Sequence, residues 1–93
     1  MTFRLALIGF IFSTFSMSLL AHAQERVVSL GGDVTEIIYA LGEGDRIAAT
    51  DTTSVYPLKA LATKKVGYVR QLSAEGVLSV EPDLILISGA AGP

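Results

Sequence analysis

The chain has 93 residues, of which 51% are hydrophobic; it has no cysteine, no tryptophan and a formal net charge of -2. That length holds one small domain at most. The missing cysteines exclude a disulfide scaffold, a thiolate zinc site, an iron–sulfur cluster and a lipidated cysteine anchor, and 7 basic residues against 9 acidic ones leave no electrostatic footprint for nucleic acid.

The mean hydropathy of +0.54 raises the question of a membrane, and the distribution of apolar residues answers it. Arg4 is the only charge before an apolar run from Leu5 to Leu20, and Ala21-His22-Ala23 then supplies an A-x-A site ahead of polar Gln24-Glu25-Arg26. This pattern predicts a secretory signal peptide over residues 1–23, cleaved after Ala23. The run is shorter than the roughly 20 residues a bilayer-spanning helix needs, and it lacks the basic flank of a stop-transfer segment. All 4 Phe, both Met and the single His belong to this segment. The exported remainder, residues 24–93, is mildly acidic and soluble in composition, which suits a bacterial periplasm.

Arg26-Val27-Val28-Ser29-Leu30 reads as a strand running into a tight turn at Gly31-Gly32. Asp33 with Glu36 three residues on has capping-box spacing, and Val34, Ile37, Ile38 and Leu41 form one helical stripe that Gly42 and Gly44 terminate. Arg46 to Thr50 reads as a second strand, and Asp51 to Pro57 as a polar loop. Leu58 to Ala62 is a candidate short helix in a stretch that Lys59, Lys64 and Lys65 mark as solvated. Val66 to Arg70 reads as extended, with Gly67 giving freedom just before Tyr68. Ser73 caps a helix to about Val80 with Glu75 in its first turn; Glu81-Pro82-Asp83 breaks it. Leu84-Ile85-Leu86-Ile87 has the continuous apolar character of a third strand, buried on both faces. Alternating strands and helices imply βαβ units and a parallel sheet. The last strand has no following helix, so one sheet edge and one face are expected to stay exposed.

Few residues suggest chemistry. Gly31-Gly32 lacks the G-x-G-x-x-G pattern of a dinucleotide site, and Asp33 would sit where pyrophosphate binds. A nucleophilic serine would have no histidine partner in residues 24–93, and the carboxylates are accounted for by capping and turns, so the chain does not read as an enzyme. Tyr68-x-Arg70 is different. In an extended segment the two side chains share a face; a phenolate is a hard ligand for ferric iron, and tyrosine is a known axial ligand of haem. A neighbouring guanidinium would favour the ionised phenol or pair with a propionate. Equally, the Tyr68 ring could pack on the sheet with Arg70 merely solvated.

The stretch from Val27 to Gly42, VVSLGGDVTEIIYALG, resembles the opening of periplasmic substrate-binding proteins for iron complexes, haem and cobalamin. Asp51 to Pro57, Val66 to Gly76 and Glu81 to Leu86 are similar to the haem-binding branch, to which Gly-Gly-Asp-Val-Thr-Glu and Gly-Tyr-x-Arg-Gln-Leu point most narrowly. The resemblance covers nearly all of residues 26–93. It implies an α/β fold: the N-terminal lobe, truncated, of a two-lobed periplasmic binding protein, with a parallel sheet flanked by helices and ligand held between the lobes. It further implies that Tyr68 ligates ferric haem, the transported cargo, with Arg70 assisting, and that Tyr56 lines the same cleft as the second-ranked iron ligand. Glu75 matches the glutamate through which such binders dock on the permease of an ABC importer in the inner membrane, the parent being a monomer. A binder of ferric siderophore or cobalamin, or a truncated exported fragment that binds nothing, are the alternatives.

Overall fold

The computed structural model describes residues 25–93; the expected signal peptide and its cleavage site lie outside the described residues. Among the described residues no helix is long and apolar enough to cross a membrane.

Strand β1 (Val27–Leu30) is wholly buried. It leads through Gly31 into helix α1 (Gly32–Ala40), a 3-10 turn (Gly44–Arg46) and strand β2 (Ile47–Thr50). A second 3-10 turn (Leu58–Ala62) precedes the two-residue strand β3 (Lys64–Lys65). Helix α2 (Ala74–Leu78) and strand β4 (Leu84–Ile87) complete the order. The strands form one parallel sheet in the order β3-β2-β1-β4, so the earliest strand is central and the latest is an edge. The described residues thus form four strands where three were expected, because β3 is a pair of lysines with no apolar signal.

The sheet packs differently on its two faces. Val28 and Leu30 join Ala49, Val77 and Val80 in the main core, with Val66 and Leu72 against it; this face lies under α2. The alternate residue Ser29 bonds Thr35 of α1 through their hydroxyls at 2.8 Å, so α1 covers the other face with Thr35 and Ile38 as its buried residues.

Helix ends depart from expectation at one end only. The N-cap of α1 is Gly31, and no side chain caps the helix. The anticipated capping box of Asp33 and Glu36 does not form, because the helix already begins at Gly32. Asp33 Oδ1 accepts instead from the Val34 N–H at 2.9 Å. At the C-terminus, Gly42 takes φ +77°, and the N–H groups of Gly42 and Glu43 donate to Tyr39 and Ile38 carbonyls at 3.0 and 3.1 Å, a Schellman motif. In α2 the expected Ser73 cap is present, its Oγ accepting from the Gly76 N–H at 3.0 Å.

The expected apolar stripe is only partly used. Ile38 is buried, whereas Ile37 and Leu41 are 59% and 72% exposed. Leu41 instead lines a hollow of about 170 Å³ with Ile38, Val27, Leu84 and Leu86. Likewise Leu84 to Ile87, expected to be buried on both faces, are all exposed, because β4 pairs on one side only and neither of its faces is covered by a helix. The uncovered edge follows expectation.

Candidate functional site

In a parallel α/β sheet the loops leaving the carboxyl ends of the strands gather along one edge, where ligands are received. Here that edge is built by the β1–α1 turn, the loop 51–57 after β2, the loop 66–73 after β3 and the residues after Ile87. Helix α2 runs back toward the opposite edge: Arg26, preceding β1, donates from Nε and Nη2 to the Val80 carbonyl at 3.0 and 2.7 Å, satisfying an acceptor just beyond the end of α2. The N-terminus of α2 and its Glu75 therefore lie on the loop-bearing edge.

Under this edge sits a buried polar network. Asp51, fully buried, accepts through Oδ1 from the Gly31 N–H at 2.8 Å and the Ser54 hydroxyl at 2.7 Å. Through Oδ2 it accepts from the Thr53 N–H at 2.9 Å and from the Thr53 hydroxyl. Burial works to raise its pKa, but these hydrogen bonds, from the Thr53 hydroxyl first, outweigh it and hold the carboxyl below its ordinary 3.8. The Thr53 hydroxyl receives the Gly32 N–H at 3.0 Å, and the Ser54 hydroxyl bonds Thr35 at 2.6 Å. Two strands and a helix start are tied to one loop by a single carboxylate.

Lys65, expected to be solvated, extends the network. Its ammonium donates to Thr50 Oγ1 at 2.8 Å, the Ser54 carbonyl at 2.8 Å and the Ala60 carbonyl at 3.0 Å. Burial depresses its pKa below 10.5, partly offset by the Asp51 charge.

Tyr56 and Tyr68 rise from the neighbouring loops after β2 and β3. The loops are stitched together where the Thr52 N–H donates to the Gly67 carbonyl at 2.9 Å. Tyr56 is 66% exposed and Tyr68 44%; Arg70 is exposed as well. The segment is not extended from Val66 to Arg70 as expected. Pairing ends after the Val66 N–H meets the Thr50 carbonyl at 2.9 Å, and a turn follows in which the Gln71 N–H donates to the Tyr68 carbonyl at 2.9 Å. Gly67, at φ +119°, deflects the chain into this turn. Val69 is buried at 8%, so Tyr68 and Arg70 remain outside by turn geometry and not by strand alternation. Gly92 clamps the turn, donating to the Val69 carbonyl and accepting from the Leu72 N–H, both at 3.0 Å. The side-chain hydrogen bonds here belong to Asp51, Thr53, Ser54 and Lys65, and among the described residues the two phenols and the Arg70 guanidinium take no part in them.

Tyr56, Tyr68, Arg70 and Glu75 are thus brought to one edge without being enclosed. The larger apolar hollows lie beside β4, including one of about 280 Å³ lined by Leu30, Leu72, Val77, Leu78, Ile85 and Ile87. Among the described residues no group of three or more His, Asp or Glu is placed to hold a metal ion. Asp51 and Lys65 were missed as organising residues. Asp51-Thr52-Thr53-Ser54 carries a readable sign, since Asp followed by hydroxyl residues closes side-chain-to-backbone turns; Lys65 carries none.

A parallel sheet that presents exposed phenols and a guanidinium beyond the carboxyl ends of its strands has the arrangement in which α/β proteins receive ligands. The chain belongs to the periplasmic binding protein family, whose model matches residues 27–91. It is 42% identical over 79 residues to the vitamin B12-binding protein of Vibrio vulnificus strain YJ016, covering 85% of this chain and 29% of that relative. Among solved structures, the periplasmic heme-binding protein RhuT from Roseiflexus sp. RS-1 in apo form aligns with TM-score 0.74 and 47% identity over 76% of this chain and 27% of that one. The periplasmic vitamin B12-binding protein BtuF of Vibrio cholerae aligns with TM-score 0.68 and 39% identity over 74% of this chain and 27% of that one. The chain spans under a third of the length of these relatives, all of them binding proteins and not enzymes, and corresponds to part of one α/β lobe.

Proposed function

We propose that the chain is the opening part, residues 24–93, of the first lobe of a periplasmic haem-binding protein that delivers ferric haem to an ABC importer. The observation that carries this reading is Tyr68, held exposed at the carboxyl edge by the Gly67 deflection and the Gly92 clamp. In it the Tyr68 phenolate coordinates Fe(III) and Arg70 supplies the compensating positive charge. Tyr56, with its apolar neighbours Val55 and Leu58, contacts the porphyrin face. Glu75, exposed at the start of α2 on the same edge, engages basic groups of the permease. The identity to solved periplasmic heme-binding proteins supports this choice of cargo.

A second reading, cobalamin as cargo, is favoured by the identity to vitamin B12-binding relatives. In that case Tyr68 is a contact residue and not a metal ligand. Competitive titration of the purified protein with haem, cyanocobalamin and a ferric hydroxamate siderophore separates these. The haem reading expects haem to displace the other two; displacement of haem by cyanocobalamin overturns it.

A further inference from the structure

Lys65 commits all three donors of its ammonium to fixed acceptors, although most lysines leave theirs to water. Two of the three, the carbonyls of Ser54 and Ala60, bracket the segment 55–59. That segment leaves the ligand-facing edge at Val55 and Tyr56 and is exposed and apolar: Val55 is 54%, Tyr56 66% and Leu58 79% exposed. A segment with such exposed side chains has little side-chain packing to hold it, and ordering it carries a backbone-entropy cost. A partly buried ammonium also carries a desolvation cost that a methionine of similar length would avoid. The third acceptor, Thr50 Oγ1, bonds the Thr63 hydroxyl at 2.5 Å, so the lysine sits on a rigid base made by β2 and the residue before β3. Asp51, bonded to the Ser54 hydroxyl, fixes the near end of the loop from the other side.

We propose that Lys65 is a positioning residue that pre-orders the segment 55–59, so that Tyr56 is set for the cargo before it arrives. The inference rests on the reading above that this loop lines the ligand site. Binding then avoids part of the ordering cost that an unclamped loop would incur at that moment.

The test compares Lys65→Met with Lys65→Arg. Amide hydrogen exchange without ligand is read first: Lys65→Met is expected to speed exchange across residues 55–60 about tenfold while β1 amides keep their rates, and Lys65→Arg, which keeps the charge and donors, restores most of the protection. Haem titration is read second. Tyr56→Ala weakens binding in the wild-type background but adds little in the Lys65→Met background, as coupled residues do. Unchanged loop exchange in Lys65→Met overturns the proposal, as do effects of Lys65→Met and Tyr56→Ala on affinity that multiply independently. If Lys65→Met does not fold, Lys65→Gln takes its place in both arms. The exchange arm is independent of cargo; a wild-type protein that takes cyanocobalamin in place of haem overturns the haem reading alone and moves the second arm to cyanocobalamin.

Discussion

Thr52 donates its backbone N–H to the Gly67 carbonyl at 2.9 Å, and through that bond the loop carrying Tyr56 and the loop carrying Tyr68 become one surface. The bond depends on Gly67 holding φ +119°, a conformation that side chains disfavour. A Cβ at Gly67 would touch nothing within 4 Å, so Gly67→Ala is expected to cost about 1 kcal/mol from backbone strain alone, and to weaken haem binding by reorienting Tyr68. Gly31 has the same φ, but a Cβ there would lie 2.7 Å from the Ser88 Cβ. Gly31→Ala should therefore cost about 2 kcal/mol or more, strain and overpacking together. Urea midpoints of the two variants give the comparison, and equal losses would contradict it.

Asp51 accepts from the Gly31 N–H and, beside the Thr53 hydroxyl that accepts from Gly32, unites the β1–α1 turn with the loop after β2. Asp51→Ala strands the Gly31 and Thr53 N–H groups, and each buried unsatisfied donor costs about 1–3 kcal/mol. A stability loss of about 2–5 kcal/mol is expected, seen as a lower urea midpoint at unchanged slope. Asp51→Asn, which keeps one carbonyl acceptor, should lose about half as much.

The same carboxylate sets the acid limb of stability. Its folded pKa is held below 3.8, so its contribution is fully present above the ordinary carboxylate range and is lost as pH falls through the depressed value. Lys65 acts at the other end: its folded pKa lies below 10.5, the unfolded chain binds that proton more tightly, and stability rises with pH between the two values. Urea midpoints from acid to alkaline pH should show a shallower acid limb in Asp51→Asn and a shallower alkaline rise in Lys65→Met. Curves parallel to wild type would contradict both assignments.

Glu75 is exposed in the first turn of α2 and touches no part of the proposed iron site. Glu75→Ala should leave haem affinity within about twofold and weaken engagement of the permease about tenfold, the scale of losing one charged partner at an interface. Stimulated ATP hydrolysis by the reconstituted importer measures it; a variant that stimulates like wild type removes Glu75 from docking.

Much of this was legible because local signals and tertiary demands agree. The β-branched run Val27 to Leu30 is both a strand former and the central strand, Ser73 caps α2, and Gly42 ends α1. Misreadings arose where distant partners decide. Lys64-Lys65 pairs with β2 because Ala49 and Thr50 offer a ladder, which no lysine pair announces. Asp33 looked like a cap, but the tight glycine turn had already started the helix. Val66 to Arg70 looked extended, yet Gly67 and the distant Gly92 convert it to a turn. Tyr68 and Arg70 are both exposed, but through the turn that Gly67 starts and not through the strand alternation the spacing suggested; the lysine and aspartate beneath the loops were not legible, since burial of a charge depends on hydrogen-bond partners 11 and 20 residues away.

The central claim is that Tyr68 holds haem iron, and the ferric haem spectrum of Tyr68→Phe beside wild type and Tyr56→Phe tests it most directly. The account predicts that Tyr68→Phe loses the phenolate-to-iron charge-transfer band and binds haem at least about tenfold more weakly, the scale of one lost charged contact, while Tyr56→Phe keeps the band. An unchanged band and affinity in Tyr68→Phe would contradict the account.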